Sequence, residues 1–270
     1  MSLHENVRNQ LLQSLQQPAD NPIDQLNNSF RLLAKWRSIL ISNTIIASHE
    51  TRVLQGPMQG LEYVANASEG CLAARLIGCY EQPLLPFVEE AIHTEYANLV
   101  NIGCADGYYA VGMARRMPKT KVWAYDINPT AQDACRQLAQ KNDVSERIEI
   151  GALFGPENFA QFANEKTLVM CDIEGAEQEL LDPTLAPELA GMDIIVESHE
   201  CIIKGLTQTL LDRFSSSHDI TMISDTGQRH FDTLPKDYET WANLDQLVAT
   251  WEWRSGPTPW LVMKAKAKKA

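Results

Sequence analysis

Between Leu99 and Glu197 short apolar runs alternate with amphipathic segments, and no other feature of the chain restricts its possible folds as much. The apolar runs are Leu99 to Gly103, Lys121 to Tyr125, Arg147 to Ile150, Thr167 to Asp172 and Asp193 to Glu197. Between them, Tyr108 to Met117, Thr130 to Asn142, Phe159 to Asn164 and Ala176 to Leu181 read as helices. Strands that are apolar on both faces, each followed by a helix, form a parallel sheet with helices above and below. A helix at Leu206 to Ser215 and strands at Ile220 to Ser224 and Trp260 to Lys264 bring the count to seven strands. The expectation is a doubly wound, mostly parallel α/β sheet, which binds its ligands outside the carboxyl ends of the strands.

Ahead of the sheet, apolar residues such as Phe30, Leu33, Trp36 and Leu40 fall at helical spacing from His4 to Leu54, with breaks at Pro18 and Pro22. Two or three helices are expected there. Arg52 to Leu54 and Gly60 to Val64, either side of Gln55-Gly56-Pro57, suggest a short hairpin, and a helix at Pro86 to His93 leads into the sheet. The chain therefore divides into an N-terminal helical cap, residues 1–90, and a sheet domain, residues 91–270. Apolar runs at Ile39 to Ile41 and Ile45-Ile46 need cover, which a lid or a homodimer interface built from the cap helices would give. Residues 227–259 form an insertion longer than a hairpin needs. It carries or borders His230, Phe231, Trp241, Trp251 and Trp253, expected either as packing or as the wall of an acceptor pocket at the mouth of the site.

Composition sets the outer limits. No stretch of the 270 residues approaches the roughly 20 apolar residues of a membrane span. Met1 to Gln17 is polar, unlike a secretory signal, so a cytoplasmic protein is expected. A formal charge of -12 opposes binding to a nucleic-acid backbone. The basic cluster Lys264, Lys266, Lys268 and Lys269 reads as a solvated tail. The six cysteines are scattered without C-x-x-C pairs and read as small buried residues rather than disulfide or zinc ligands.

The turn after the first strand, Asn101-Ile102-Gly103-Cys104-Ala105-Asp106-Gly107, places two glycines where a chain bends sharply or lets a ligand approach its backbone. The second strand ends in Asp126, 19 residues beyond Gly107. An acid there can accept hydrogen bonds from both hydroxyls of an unphosphorylated ribose. The spacing is G-x-x-x-G, without the G-x-G-x-x-G that lets backbone meet a pyrophosphate. S-adenosylmethionine carries no phosphate and needs no such triplet, so it is favoured over NAD. An NAD-dependent oxidoreductase remains the alternative enzyme, because Asp126 would serve either cofactor.

These residues resemble the first motif of class I methyltransferases and, more narrowly, of the FkbM-type enzymes, D-x-G-A-N-x-G. Both glycines match, with Asn101 in place of the acid and Ala105 in place of the amide. Cys171-Asp172-Ile173-Glu174-Gly175-Ala176-Glu177 is similar to the family's D-x-E-G-x-E segment, and Val196-Glu197-Ser198-His199 to its E-x-H. Gly56 to Gly60, Gly78 to Glu81 and the strand from Trp260 also look like segments of relatives, so the resemblance covers residues 52 to 264. It implies a Rossmann-like seven-stranded sheet, binding of S-adenosylmethionine, and methyl transfer to a hydroxyl of a sugar, polyketide or other small metabolite. Gly103, Gly107 and Asp126 carry over as cofactor contacts, and Asn101, Ala105, Asp106, Tyr109, Ile127 and Asp172 are further residues expected at the cofactor. The departures at Asn101 and Ala105 leave a non-catalytic S-adenosylmethionine-binding module as a third reading.

Methyl transfer from a sulfonium is an in-line displacement, so the protein chiefly aligns the partners and, for a hydroxyl, removes a proton. Asp172, Glu174, Glu197 and His199, at the ends of strands four and five, are the expected catalytic residues. Either His199 or a crowded carboxylate acts as general base, or Asp172 and Glu197 hold a divalent cation that acidifies the acceptor. The base is preferred because the sequence shows no denser set of oxygen ligands. The plainer alternatives are Glu174 as a helix cap and His199 as a buried structural histidine. Tyr80 and Glu81 are expected either to close the cofactor pocket or only to pack.

Overall fold

Apolar runs become strands where both faces can be covered, and burial follows that rule here. The computed structural model describes residues 1–18, 20–64, 71–227, 229, 241–254 and 256–267. In it β1 (Asn98–Ile102) and β4 (Thr167–Cys171) are buried at every position, and β5 (Asp193–Glu197) at all but its first. Toward the edges, β2 (Lys121–Tyr125), β3 (Ile148–Gly151) and β6 (His218–Ile223) alternate or lie half-open. The order is β3-β2-β1-β4-β5-β7-β6. The first five strands run parallel, while β7 (Trp260–Ala265) runs antiparallel to both β5 and β6.

Strand alternation sends neighbouring residues to opposite cores. Leu99, Leu168, Met170, Ile195 and Val262 pack on one face with α4 (Leu85–His93), α5 (Tyr108–Arg116) and α6 (Pro129–Lys141). Val100, Val169, Ile194, Val196 and Leu261 pack on the other with α7 (Glu177–Leu180) and α8 (Leu206–Phe214). The expected doubly wound, seven-stranded, mostly parallel sheet is therefore present. Strand order reverses between β1 and β4, which opens a crevice at their carboxyl ends.

The cap consists of α1 (Leu3–Gln16), begun by a Ser2–Glu5 capping box, and α2 (Pro22–His49), begun by Asn21 with proline at its first position. Ile41 and Ile45 of α2, with Val53, Met58, Leu61 and Tyr63, join the core of the first sheet face. The expected short hairpin at residues 52–64 is present with one antiparallel bridge, Arg52 to Glu62, flanked by backbone bonds from Val53 to Leu61 and from Tyr63 to Thr51, and turns at Gly56 and Met58 join its arms. An unexpected helix, α3 (Leu72–Ile77), follows and ends at Gly78 in the left-handed conformation. Tyr80 lies just beyond it, in a turn.

Three further differences are local. The segment after β3 is a 3-10 helix, Pro156–Phe162, rather than a helix from Phe159 to Asn164. The insertion contains a helix of its own, α9 (Asn243–Ala249), tied to α2 by a two-pronged Arg37–Asp245 pair at 2.7 and 2.5 Å. Cys201 is exposed, unlike the other five cysteines. His230 and Phe231, with Lys268 and Lys269, lie outside the described residues. No described helix is long and apolar enough to cross a membrane.

Candidate active site

β1 delivers the glycine turn into the crevice. Gly103 has φ +77°, and a Cβ there would lie 1.7 Å from the Asp172 carbonyl oxygen; the turn presses against the chain leaving β4. Gly107 has φ +92°, and its Cβ would meet Cys135 Sγ of α6 at 2.7 Å. Packing of the turn on its neighbours therefore demands both glycines before any ligand is considered. Ala105, at φ +47°, adopts a conformation that disfavours a residue with a Cβ. Asp126 holds it there: Oδ2 accepts the Ala105 N–H at 2.9 Å while Oδ1 accepts the Asn128 N–H at 2.8 Å. Each carboxylate oxygen retains acceptor capacity for a hydroxyl. Beside this acid, at the ends of the paired strands β2 and β3, Ile127 and Leu153 are 77% and 76% exposed despite being apolar.

Asn101 is buried on β1. Its Nδ2 donates to the Met170 carbonyl at 3.4 Å, while its Oδ1 has no partner. Leaving a buried acceptor unmade costs about 1–3 kcal/mol. Asn101 borders a cleft lined by Tyr80, Ala105, Asp106, Tyr109, Asp172 and Trp260, whose enclosed part holds only about 20 Å³. That is room for about one water molecule. Asp106 turns inward, paired at 3.2 Å with buried Arg75, which also donates to Tyr63 Oη at 2.8 Å and lies 4.5 Å over the Tyr80 ring. Tyr109 donates to Glu81 Oε2 at 2.5 Å.

The ends of β4 and β5 bring the acids and the histidine together. After Asp172 the chain turns through Glu174 (φ +53°) and Gly175 (φ +103°) into α7; after Glu197 it turns through Ser198 to His199. His199 is buried, with Nδ1 2.8 Å from Glu177 Oε1. Glu177, fully buried, also accepts the Ile173 N–H at 3.0 Å through the same oxygen. This carboxylate fixes the imidazole with its proton on Nδ1 and turns Nε2 toward Asp172 (3.5 Å), Glu174 (3.4 Å) and Glu197 (3.8 Å). Burial opposes a charged imidazole, but the Glu177 bond and the neighbouring carboxylates outweigh it and raise the His199 pKa above the ordinary value. Glu174 does not cap α7, and its side chain is largely exposed. One donor atom from each of Asp172, Glu174 and His199 lies within 4.8 Å of the others.

Glu197 is engaged elsewhere as well. Arg254, from the insertion, binds Glu197 Oε1, reaches Glu81 at 3.2 Å and Glu252 at 3.3 Å, and donates to Thr258 Oγ1 at 2.6 Å. Arg229 binds Glu252 and pairs with Asp225 at 2.8 Å. Among the described residues, four carboxylates here face two guanidinium groups. Burial, followed by repulsion from Glu197, pushes Glu81 up to about 8, and burial also raises Glu252.

No protein-family model matches the chain, and no curated protein matches it. Solved structures do resemble it. The O-methyltransferase TomG from Streptomyces achromogenes, in complex with SAM, shares 13% identity over 69% of this chain and 80% of its own, with a TM-score of 0.47. The O-methyltransferase from Bacillus cereus in complex with SAH shares 15% over 69% and 81%, TM-score 0.46. Cofactor-bound Rv0187 from MTB shares 16% over 78% and 92%, TM-score 0.44. Likeness at this level carries no functional argument, so function is read from the site's own chemistry.

Of the expected residues, Asn101, Gly103, Ala105, Asp106, Tyr109 and Asp172 border one cleft. Asp126 adjoins it through its bond to Ala105, and Ile127 follows on the exposed surface. Gly107 packs against Cys135 outside the lining, and Glu174, Glu197 and His199 form the adjoining acid cluster. Leu153, Glu177 as the histidine's partner, and Arg254 are not among the expected residues. Glu177 was in sight as the last acid of the D-x-E-G-x-E segment, three residues past Glu174. Nothing local marked Arg254, which reaches Glu197 across 57 residues of sequence.

Proposed function

We propose that the chain is an S-adenosylmethionine-dependent methyltransferase, transferring a methyl group to a hydroxyl of a small molecule held over the ends of β4 and β5. The acceptor-rich character of the cleft carries this reading. Asn101 Oδ1 lacks a donor, Asp126 retains acceptor capacity, and Asp172 stands opposite. Such a lining suits a ligand that brings an ammonium, a sulfonium and two ribose hydroxyls, whereas acids at this place repel a dinucleotide's pyrophosphate. Asn101 Oδ1 would take the ammonium and Asp126 the ribose hydroxyls, while Ile127 and Leu153 offer apolar faces to the base. Gly103, Ala105 and Tyr109 line the cleft beside that path, while Gly107 packs behind the turn against Cys135.

When bound, S-adenosylmethionine supplies a methyl group on a good, neutral leaving group. The chain's own task is then alignment and proton removal. His199 Nε2 accepts the acceptor hydroxyl's proton, Glu177 keeps the other nitrogen protonated and the ring oriented, and the surrounding carboxylates stabilise the imidazolium that forms. The test is transfer of labelled methyl from S-adenosylmethionine to a panel of hydroxylated metabolites. Incorporation that His199→Gln abolishes supports the reading; tight cofactor binding without transfer to any member would favour the non-catalytic module.

The mutual approach of Asp172, Glu174 and His199 favours a second reading, a divalent cation on these three residues. Such an ion would acidify a bound hydroxyl, and Glu177 would hold the histidine from behind. Loss of transfer on chelation, restored by added Mg²⁺ or Mn²⁺, would select this reading; indifference to chelator would select the base.

A further inference from the structure

The helix α2 carries one apolar stripe whose two halves meet different fates. Ile23, Leu26, Phe30 and Leu33 recur at intervals of three and four residues, so they share one face, which continues through Arg37 to Ile41 and Ile45. Ile41 and Ile45 are buried in the core of this chain. Ile23, Leu26 and Phe30 are 66%, 62% and 67% exposed, and Leu33 is exposed too. At the junction, Arg37 grips Asp245 of α9, whose neighbours Leu244 and Leu247 are again exposed. These six residues make up a large share of the exposed large apolar side chains among the described residues.

We infer that this arm is a homodimer interface, in which the α2 stripes of two copies pack antiparallel about a two-fold axis between Leu26 and Phe30. That axis sets Ile23 of one copy against Leu33 of the other and Leu26 against Phe30, so the patch is complementary to itself, as a two-fold interface requires. Charge agrees. Asp20 and Asp24 lie at one end of the arm and Arg31 and Lys35 at the other, so antiparallel copies bring acid toward base. At roughly 60–120 Å² of apolar surface per side chain, the six residues cover on the order of 500 Å² per copy. With their polar rim this approaches the ~800 Å² per partner typical of stable complexes. A lipid surface is a poorer occupant, because residues 20–36 carry as many acids as bases and lack the basic excess of a membrane-surface helix.

Sedimentation equilibrium of the full chain at micromolar concentration tests the inference without reference to any cofactor. The expected mass is twice the 30.3 kDa of one chain. L26D and F30D together should return it to one chain with unchanged circular dichroism, since both side chains face outward. A monomeric wild-type chain would overturn the inference, as would a double variant that stays dimeric.

Discussion

On the proposed reading Asp126 and His199 divide the work of the site between them, one toward the cofactor and one toward the acceptor. Asp126→Ala should weaken S-adenosylhomocysteine binding by about 10-fold or more in calorimetric titration, since hydrogen bonds involving a charged partner contribute about 1.5–3 kcal/mol. His199→Gln should leave that affinity within a few-fold while lowering turnover by about 10²–10⁴, the usual range for a general base. Glu177→Gln should fall between, because the ring remains but its tautomer is no longer fixed. Equal loss of binding in all three variants would contradict this division. At this scale, the sequence identified most of the residues but few of their contacts. Asp126 was legible because it ends an apolar strand 19 residues beyond the glycine turn, although its bonds to the Ala105 and Asn128 N–H groups appear only in the fold. Glu177 was not, since its partnership with His199 arises only when β4 and β5 lie side by side.

Elements explain why the site holds together. Gly103→Ala should disrupt folding rather than cofactor binding alone, because its Cβ would strike backbone at 1.7 Å and has no side chain to displace; a soluble, well-folded variant would contradict this. The insertion contributes Arg254, and Arg254→Met should cost about 3–5 kcal/mol by leaving the buried Glu197 carboxylate without its guanidinium, read as a fall in Tm of roughly 2–4 °C per kcal/mol. Glu81 makes this network pH-sensitive. Its folded pKa of about 8 exceeds the ordinary 4.5, so its contribution to stability is fully present below pH 4.5 and is lost as pH rises toward 8. E81Q should therefore gain in Tm relative to the wild-type chain between pH 5 and pH 8, and a difference that stays constant with pH would refute the assignment. The parallel strands were legible because being apolar on both faces is a local property of sequence. The helix α9 was not, because it is defined by packing on α2.

For the molecule as a whole, the reversal of strand order between β1 and β4 gathers residues from four strand ends into one crevice. The cap adds its apolar residues to the same core that backs the glycine turn. Seven strands and two-sided helices followed from the alternation of apolar runs; the antiparallel place of β7 between β5 and β6 depends on long-range pairing that no local pattern records. On the proposed reading, the acceptor-lined crevice on this sheet takes a cationic, phosphate-free nucleoside cofactor. Calorimetric titration of the wild-type chain with S-adenosylmethionine, S-adenosylhomocysteine and NAD tests it most directly. Saturable binding of the first two, weakened by Asp126→Ala, with none of NAD, is the predicted result; binding of NAD without either sulfur compound would contradict it.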